Sequence, residues 1–207
     1  MQALRSLLAL CASALLAACQ TTSIQSAWFD TTYRGGMLQK IVVIANDGTT
    51  ADSRVFEDIF TQKLSAAGVT GIPGYTTIPP AARQAEGPFS AAVAQTGAQG
   101  VLIVRLLRVD TKTQVSTVMM PGPLWGPYGG FYGGFYGGPR WYPATDVTQY
   151  DVATVESNLY DVNTKRLLWA ATTKTTNPAS VAQEAPGFAD LIIGQLRARG
   201  LIAPAPK

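Results

Sequence analysis

The chain has 207 residues, with 16 Lys and Arg against 13 Asp and Glu, two cysteines and no histidine, for a formal charge of +3. The lack of histidine excludes a Ser-His-Asp triad, a Cys-His pair, histidine zinc sites and a histidine general base. The small charge is scattered along the chain, which gives neither a basic groove for nucleic acid nor a polybasic membrane patch.

The N-terminal segment carries one charge, Arg5, followed by small and apolar residues from Ser6 to Ala18. That run is too short to cross a bilayer comfortably. It ends at Leu16-Ala17-Ala18-Cys19, which resembles a bacterial lipobox. The resemblance implies cleavage before Cys19 and acylation of Cys19 through thioether and amide linkages. Two blander readings are an ordinary secretory signal cut near Ala17-Ala18 and an uncleaved apolar anchor. Several acyl chains on one cysteine anchor a protein stably, since each buried methylene contributes about 0.8 kcal/mol. The next residue is Gln20 rather than Asp. By resemblance to other lipoproteins, this implies the outer membrane, with the domain facing the periplasm. The expected organisation is a signal peptide over 1–18, a lipidated tether over 19–36 and one globular domain over 37–203. Loss of residues 1–18 removes Arg5 and Cys11, leaving 15 basic residues against 13 acids and Cys19 as the sole cysteine. No disulfide, metal or cofactor is expected in such a domain.

Along the domain, Lys40-Ile41-Val42-Val43-Ile44-Ala45 is a β-branched run ended by Asn46-Asp47-Gly48. It predicts a strand buried on both faces. A helix is predicted over Asp52 to Ala67, with Val55, Phe56, Ile59, Phe60 and Leu64 as its apolar stripe and Gly68 as its stop. Asp52, Glu57 and Asp58 fall toward its start, where the helix dipole favours acids. Val69 to Tyr75 predicts a short strand interrupted by Gly71, Pro73 and Gly74. A second helix covers part of Ala81 to Thr96, clearest after Pro88 and stopped by Gly97. Gly100 to Asp110 is the strongest strand signal, continuing toward Val118, and another long strand spans Asp146 to Val162. Asp161 to Lys165 then turns into Arg166–Thr172 as a hairpin. A last helix is predicted from Pro186 to Arg199, with Leu191, Ile192 and Leu196 facing the core and Gly200 as its cap. The order β-α-β-α-β-β-β-α predicts an α/β fold with an α+β tendency: parallel crossovers first, antiparallel strands after, and helices packed on a mixed sheet.

Gly97-Ala98-Gln99-Gly100-Val101-Leu102 and the run from Asn158 to Trp169 resemble a group of uncharacterised proteobacterial outer-membrane lipoproteins. More distantly, the element order is similar to curli-secretion lipoproteins and to lipoprotein activators of penicillin-binding proteins. Neither resemblance implies a catalytic residue, and a shared fold does not supply a function.

Between the two long strands, Pro121 to Pro143 is rich in glycine and aromatics, with Phe-Tyr-Gly-Gly twice in tandem. Trp125, Tyr128, Phe131, Tyr132, Phe135, Tyr136, Trp141 and Tyr142 are the candidate contact residues. Such a hairpin insertion suits stacking on sugar rings, a lipid interface or packing between subunits. A low-complexity loop whose aromatics touch their own domain is the bland alternative. Asp110, Asp146, Asp151, Glu156 and Asp161 sit on or beside the strands, where paired acids would suit glycoside hydrolysis. Solvated strand faces and turn caps are the commoner use of such acids. The expected role is therefore non-enzymatic binding or scaffolding by a protein held to the membrane through its N-terminal lipid. The partner would be an envelope protein, a second copy or a polysaccharide. A subunit of an envelope or secretion assembly is the alternative, followed by a carboxylate enzyme on envelope glycans.

Overall fold

The computed structural model describes residues 22–46, 50–121 and 141–204, with the backbone alone at Gln84, Pro121, Trp141 and Tyr142. They form two compact units. The larger holds the described residues up to Val109 and from Val152 onward, and the smaller is Asp110–Asp151.

Six strands are present among the described residues: β1 (Thr22–Phe29), β2 (Lys40–Asn46), β3 (Thr70–Pro73), β4 (Gly100–Pro121), β5 (Trp141–Asp161) and β6 (Leu167–Thr176). They form one sheet in the order β1-β6-β5-β4-β2-β3. The helices are α1 (Thr50–Ala66), α2 (Gly74–Thr77), α3 (Glu86–Gln95) and α4 (Val181–Ala198), with a 3-10 turn at Pro80–Gln84. Strand β2 runs parallel to both β3 and β4, while β6 runs antiparallel to both β1 and β5. The Val162 N–H donates to the Gln99 carbonyl and Arg105 meets Glu156, so β5 runs antiparallel to β4. The mixed sheet with helices packed on it is the fold the sequence predicts.

The β-branched run in β2 is buried from Ile41 to Ala45 because both faces of the strand are covered. On one face Ile41 and Val43 join Leu102, Val104, Leu159 and Trp169 against Phe60 and Leu64 of α1 and Phe188, Ile192 and Leu196 of α4. The rings of Phe56, Phe60 and Phe188 meet in tilted and edge-to-face contacts at centroid separations of 5.6 to 6.4 Å. On the other face Val42, Ile44 and Val101 pack with Ile78 and with Val93 of α3. Gly71 stands where the strand presses on α1: a Cβ there would lie 2.7 Å from the Thr61 Cα. The interruption in that apolar run is thus a close approach of backbones.

Several elements differ from the sequence expectation. The segment expected to be a tether contains β1, paired along β6 from Thr22↔Thr175 to Phe29↔Trp169 with a register shift between Ile24 and Ser26. Its polar, Thr- and Ser-rich composition suits an edge strand, where backbone pairing supplies the order that apolar patterning does not signal. Helix α4 begins at Val181, five residues before Pro186, because the Ser180 hydroxyl accepts from the Gln183 N–H as its N-cap. In α4 Ile193 is buried with Ile192 and Leu196, whereas Leu191 is half-buried. In α1 Val55 is exposed and Glu57 is buried.

The β5–β6 turn is set by Asp161, whose Oδ1 accepts from the N–H and hydroxyl of Thr164 at 2.7 and 2.8 Å. In the smaller unit the Thr111 hydroxyl donates to Asp151 at 2.7 Å, and none of its described side chains is buried.

Two apolar positions of the predicted α1 stripe are expected to behave differently. Phe60→Ala should cost about 3–5 kcal/mol, as expected for a fully buried ring, while Val55→Ala should stay within about 0.5 kcal/mol. Urea unfolding of the two variants checks this, and equal costs would place the stripe wrongly.

Candidate functional site

A cavity of about 260 Å³ lies in the larger unit, between the sheet and the first turns of α1 and α4. Its floor is Val104 and Leu106 of β4, Ala153 and Val155 of β5, and Thr175 of β6. The two-residue spacing within β4 and within β5 puts each of those pairs on one face. Phe56 and Phe188 close one side, and Ala45 at the end of β2 closes another. Asp52 and Ser53 of α1, and Ser180 and Glu184 at the start of α4, supply the polar part of the wall. Ser180 is occupied as the helix cap, and Glu184 Oε1 accepts from the Ala179 N–H at 3.2 Å. Ser180 and Glu184 thus serve the backbone at the start of α4, and the space beside them is mainly apolar.

Glu57 holds one side of this site in place. Its side chain is fully buried, yet it accepts from the Ala45 N–H at 3.0 Å through Oε1 and from the Tyr75 N–H at 2.8 Å through Oε2. Arg83 lies 3.8 Å away. One carboxylate therefore joins α1, the cavity-lining end of β2 and the start of α2. Burial pushes its pKa up, opposed by the hydrogen bonds from Ala45 and Tyr75 and by the Arg83 charge. In sequence Glu57 reads only as one of the acids favoured at a helix start. The signal that could have found it is positional: Glu57, Phe60, Thr61 and Leu64 form the buried stripe of α1, one residue off the all-apolar one.

A second carboxylate fixes the end of β1. Asp30 accepts from the N–H and hydroxyl of Thr32 at 2.9 and 2.7 Å and pairs with Arg166. The hydrogen bonds from Thr32, then the Arg166 charge, hold its pKa below the usual carboxylate value. Four of the other acids marked in the sequence have partners of their own. Glu156 pairs with Arg105 at 2.9 Å, Asp151 accepts from Thr111, Asp161 caps its own turn, and Asp146 accepts from Thr148 at 3.3 Å.

Of the predicted site residues, Cys19, Trp125, Tyr128, Phe131, Tyr132, Phe135 and Tyr136 lie outside the described residues. Trp141 and Tyr142 open β5. Among the described residues no cluster of His, Cys, Asp or Glu has a metal-binding arrangement, and no helix is long and apolar enough to cross a membrane.

The chain matches no protein-family model and no curated protein. Among solved structures it is similar to a PelC dodecamer from Paraburkholderia phytofirmans, at 16% identity over 88% of this chain and 99% of that one, with a TM-score of 0.44. A single-residue variant of the same dodecamer gives 17% identity over 84% of this chain and 99% of that one, with a TM-score of 0.46. It is also similar to lipoprotein GNA1162 from Neisseria meningitidis, at 12% identity over 77% of this chain and 98% of that one, with a TM-score of 0.41. Likenesses at this level carry no argument about the site.

The raised pKa of Glu57 gives stability a definite sign with pH. The folded chain keeps that proton to higher pH than the unfolded chain. The contribution of Glu57 is therefore largest below its ordinary carboxyl value and falls as pH rises through the raised one. Glu57→Gln should remove this downward slope. Glu57→Ala should cost about 1–3 kcal/mol at neutral pH, because the N–H groups of Ala45 and Tyr75 lose their acceptors. Urea unfolding across a pH series measures both, and an unchanged slope in Glu57→Gln would contradict the assignment.

Proposed function

We propose that this chain is a lipid-anchored protein of the bacterial cell envelope that acts by binding rather than by catalysis. Acyl chains on Cys19 hold it at the periplasmic face of the outer membrane. The observation that carries this reading is Leu16-Ala17-Ala18-Cys19 at the end of a short apolar run. The first strand supports it in a specific way. Strand β1 starts at Thr22, so the folded domain begins three positions after the lipid-bearing cysteine and is held close to the membrane surface.

The binding role is supported by apolar side chains in the smaller unit. Val115, Met119, Met120 and Val147 are each more than half exposed. Val115 and Met119 fall on the same face of β4 by their even spacing, and apolar residues grouped on an exposed face suit a contact site. These residues flank the glycine and aromatic insertion over 121–143, whose tandem Phe-Tyr-Gly-Gly units add contact area with few rotatable bonds. A protein, a second copy and an envelope polysaccharide all fit this chemistry. The same exposed residues favour self-association as the second reading, in which protomers assemble through the smaller unit.

The membrane form is expected to yield an N-terminal peptide that starts at Cys19 and carries added lipid mass. Cys19→Ala should leave the membrane fraction after a high-salt wash. A mature terminus elsewhere, or a salt-resistant Cys19→Ala protein, would sink the anchoring claim.

Replacing residues 124–142 by a short Gly-Ser linker is expected to preserve circular dichroism and cooperative melting, because a short turn can rejoin β4 and β5. Chemical crosslinking in intact envelopes should then lose the partners of the unaltered chain. Native mass spectrometry separates a polymer- or protein-binding monomer from a discrete assembly. Full retention of contacts by the linker variant would move the binding surface to the helices or the sheet.

A further inference from the structure

We propose that the cavity between the sheet and the first turns of α1 and α4 receives one of the acyl chains carried by Cys19, an inference that rests on the lipidation reading above. The register of the sheet carries the argument. Thr22 pairs with Thr175 and Thr175 pairs with Ala153, which makes one row of side chains across β1, β6 and β5. Directly paired residues share a face of a sheet. The Thr22 and Thr175 hydroxyls meet on that face in a hydrogen bond of 2.8 Å. Thr175 and Ala153 both line the cavity. The row therefore leads from the start of β1 into the cavity floor.

The length of chain before β1 matches this placement. Thr22 stands three positions after Cys19, and three extended residues reach about 11 Å at most. A chain attached to Cys19 thus starts within one short span of the row. The capacity also suits a single alkyl chain. An apolar cavity of about 150 Å³ holds a six-carbon ring, so about 260 Å³ accommodates on the order of ten carbons at the same ratio.

The polar rim selects among alkyl ligands. Asp52 and Glu184 are the ionisable residues of the wall, and no Lys or Arg lines it to hold a carboxylate or phosphate headgroup. A free fatty acid or an acidic phospholipid would bring such a group. A chain joined to Cys19 by a thioether or amide linkage brings none. The occupant that fits the wall, the register and the reach is therefore the protein's own lipid, with part of one chain withdrawn from water or from the bilayer into the domain.

The test uses the full chain made in cells fed a fatty acid bearing a diazirine and an alkyne. The lipidated protein is moved into detergent-free nanodiscs, irradiated and digested. Crosslinks from the Cys19 lipid to peptides containing residues 153–155 or 175–188 of the same molecule are expected. A Val155→Trp variant, which fills the cavity, should lose them while keeping the lipid mass on Cys19. Should that variant fail to fold, the crosslink map of the unaltered chain decides alone. Lipid mass on Cys19 with crosslinks only to bilayer lipids or to other surfaces overturns the inference and leaves the lipidation reading intact. A Cys19→Ala chain that captures added diazirine fatty acid at these peptides, when the Cys19 lipid does not reach them, overturns it in favour of an outside ligand. Crosslinks only between isotopically distinct copies overturn it in favour of a partner protomer. Absence of lipid mass on Cys19 removes the lipidation reading, and this inference with it.

Discussion

A single carboxylate taken out of water, Glu57, sets the terms for the larger unit. A buried carboxylate is tolerated only where hydrogen bonds and charge replace its hydration. Here backbone donors that include Ala45 and Tyr75, together with one guanidinium, do so, and they come from different elements: the end of β2, the start of α2 and the 3-10 turn that follows. Meeting that requirement fixes where α1 lies along β2 and where the chain turns after β3. Ala45, whose N–H is one of the donors, is also part of the cavity wall. The polar constraint and the apolar site thus share a residue.

The sheet changes character from one side to the other. Around β2 both faces are covered, and alternate residues of one apolar run enter two separate cores. At β5 and β6 the positions in register on one face run Ala153, Val155, Ser157, Leu159 and Trp169, Ala171, Thr173, Thr175. In β6 the side chains become smaller and more polar toward the β1 start. Large rings fill the centre of the α1–α4 layer, whereas the end near Thr175 has alanine, valine and threonine on the floor. A gradient in side-chain volume of this kind leaves unfilled space at that end, since close packing depends on matching volumes.

That geometry bears on the proposed anchor. The edge strand β1 has no apolar alternation, yet its pairing with β6 and the Asp30–Arg166 contact tie both of its ends to the sheet. In the proposed reading, a domain ordered from Thr22 onward stays close to whatever holds Cys19. A flexible tether over 20–36 would let the domain sample a much larger volume. In the proposed reading, reach is traded for a fixed relation between the lipid and the fold, while the exposed apolar residues of the smaller unit remain for contacts.

Much of the architecture was legible in sequence because the signals were local. The β-branched run of β2, the three- and four-residue spacing of α1 and the Asp161–Lys165 turn each depend on residues close along the chain, and each appears in the structure. The lipobox resemblance at Cys19 is likewise wholly local. Tertiary structure alone decided what depends on residues far apart. Strand β1 has no apolar alternation and is ordered by β6, which lies far along the chain. Glu57 reads as a surface acid until β2 and α2 close over it. The cavity has no motif, because its wall is assembled from β2, β4, β5, β6 and two helix starts. Periodicity and capping are short-range and can be read from the chain, whereas pairing partners, desolvation and unfilled volume are properties of which elements meet.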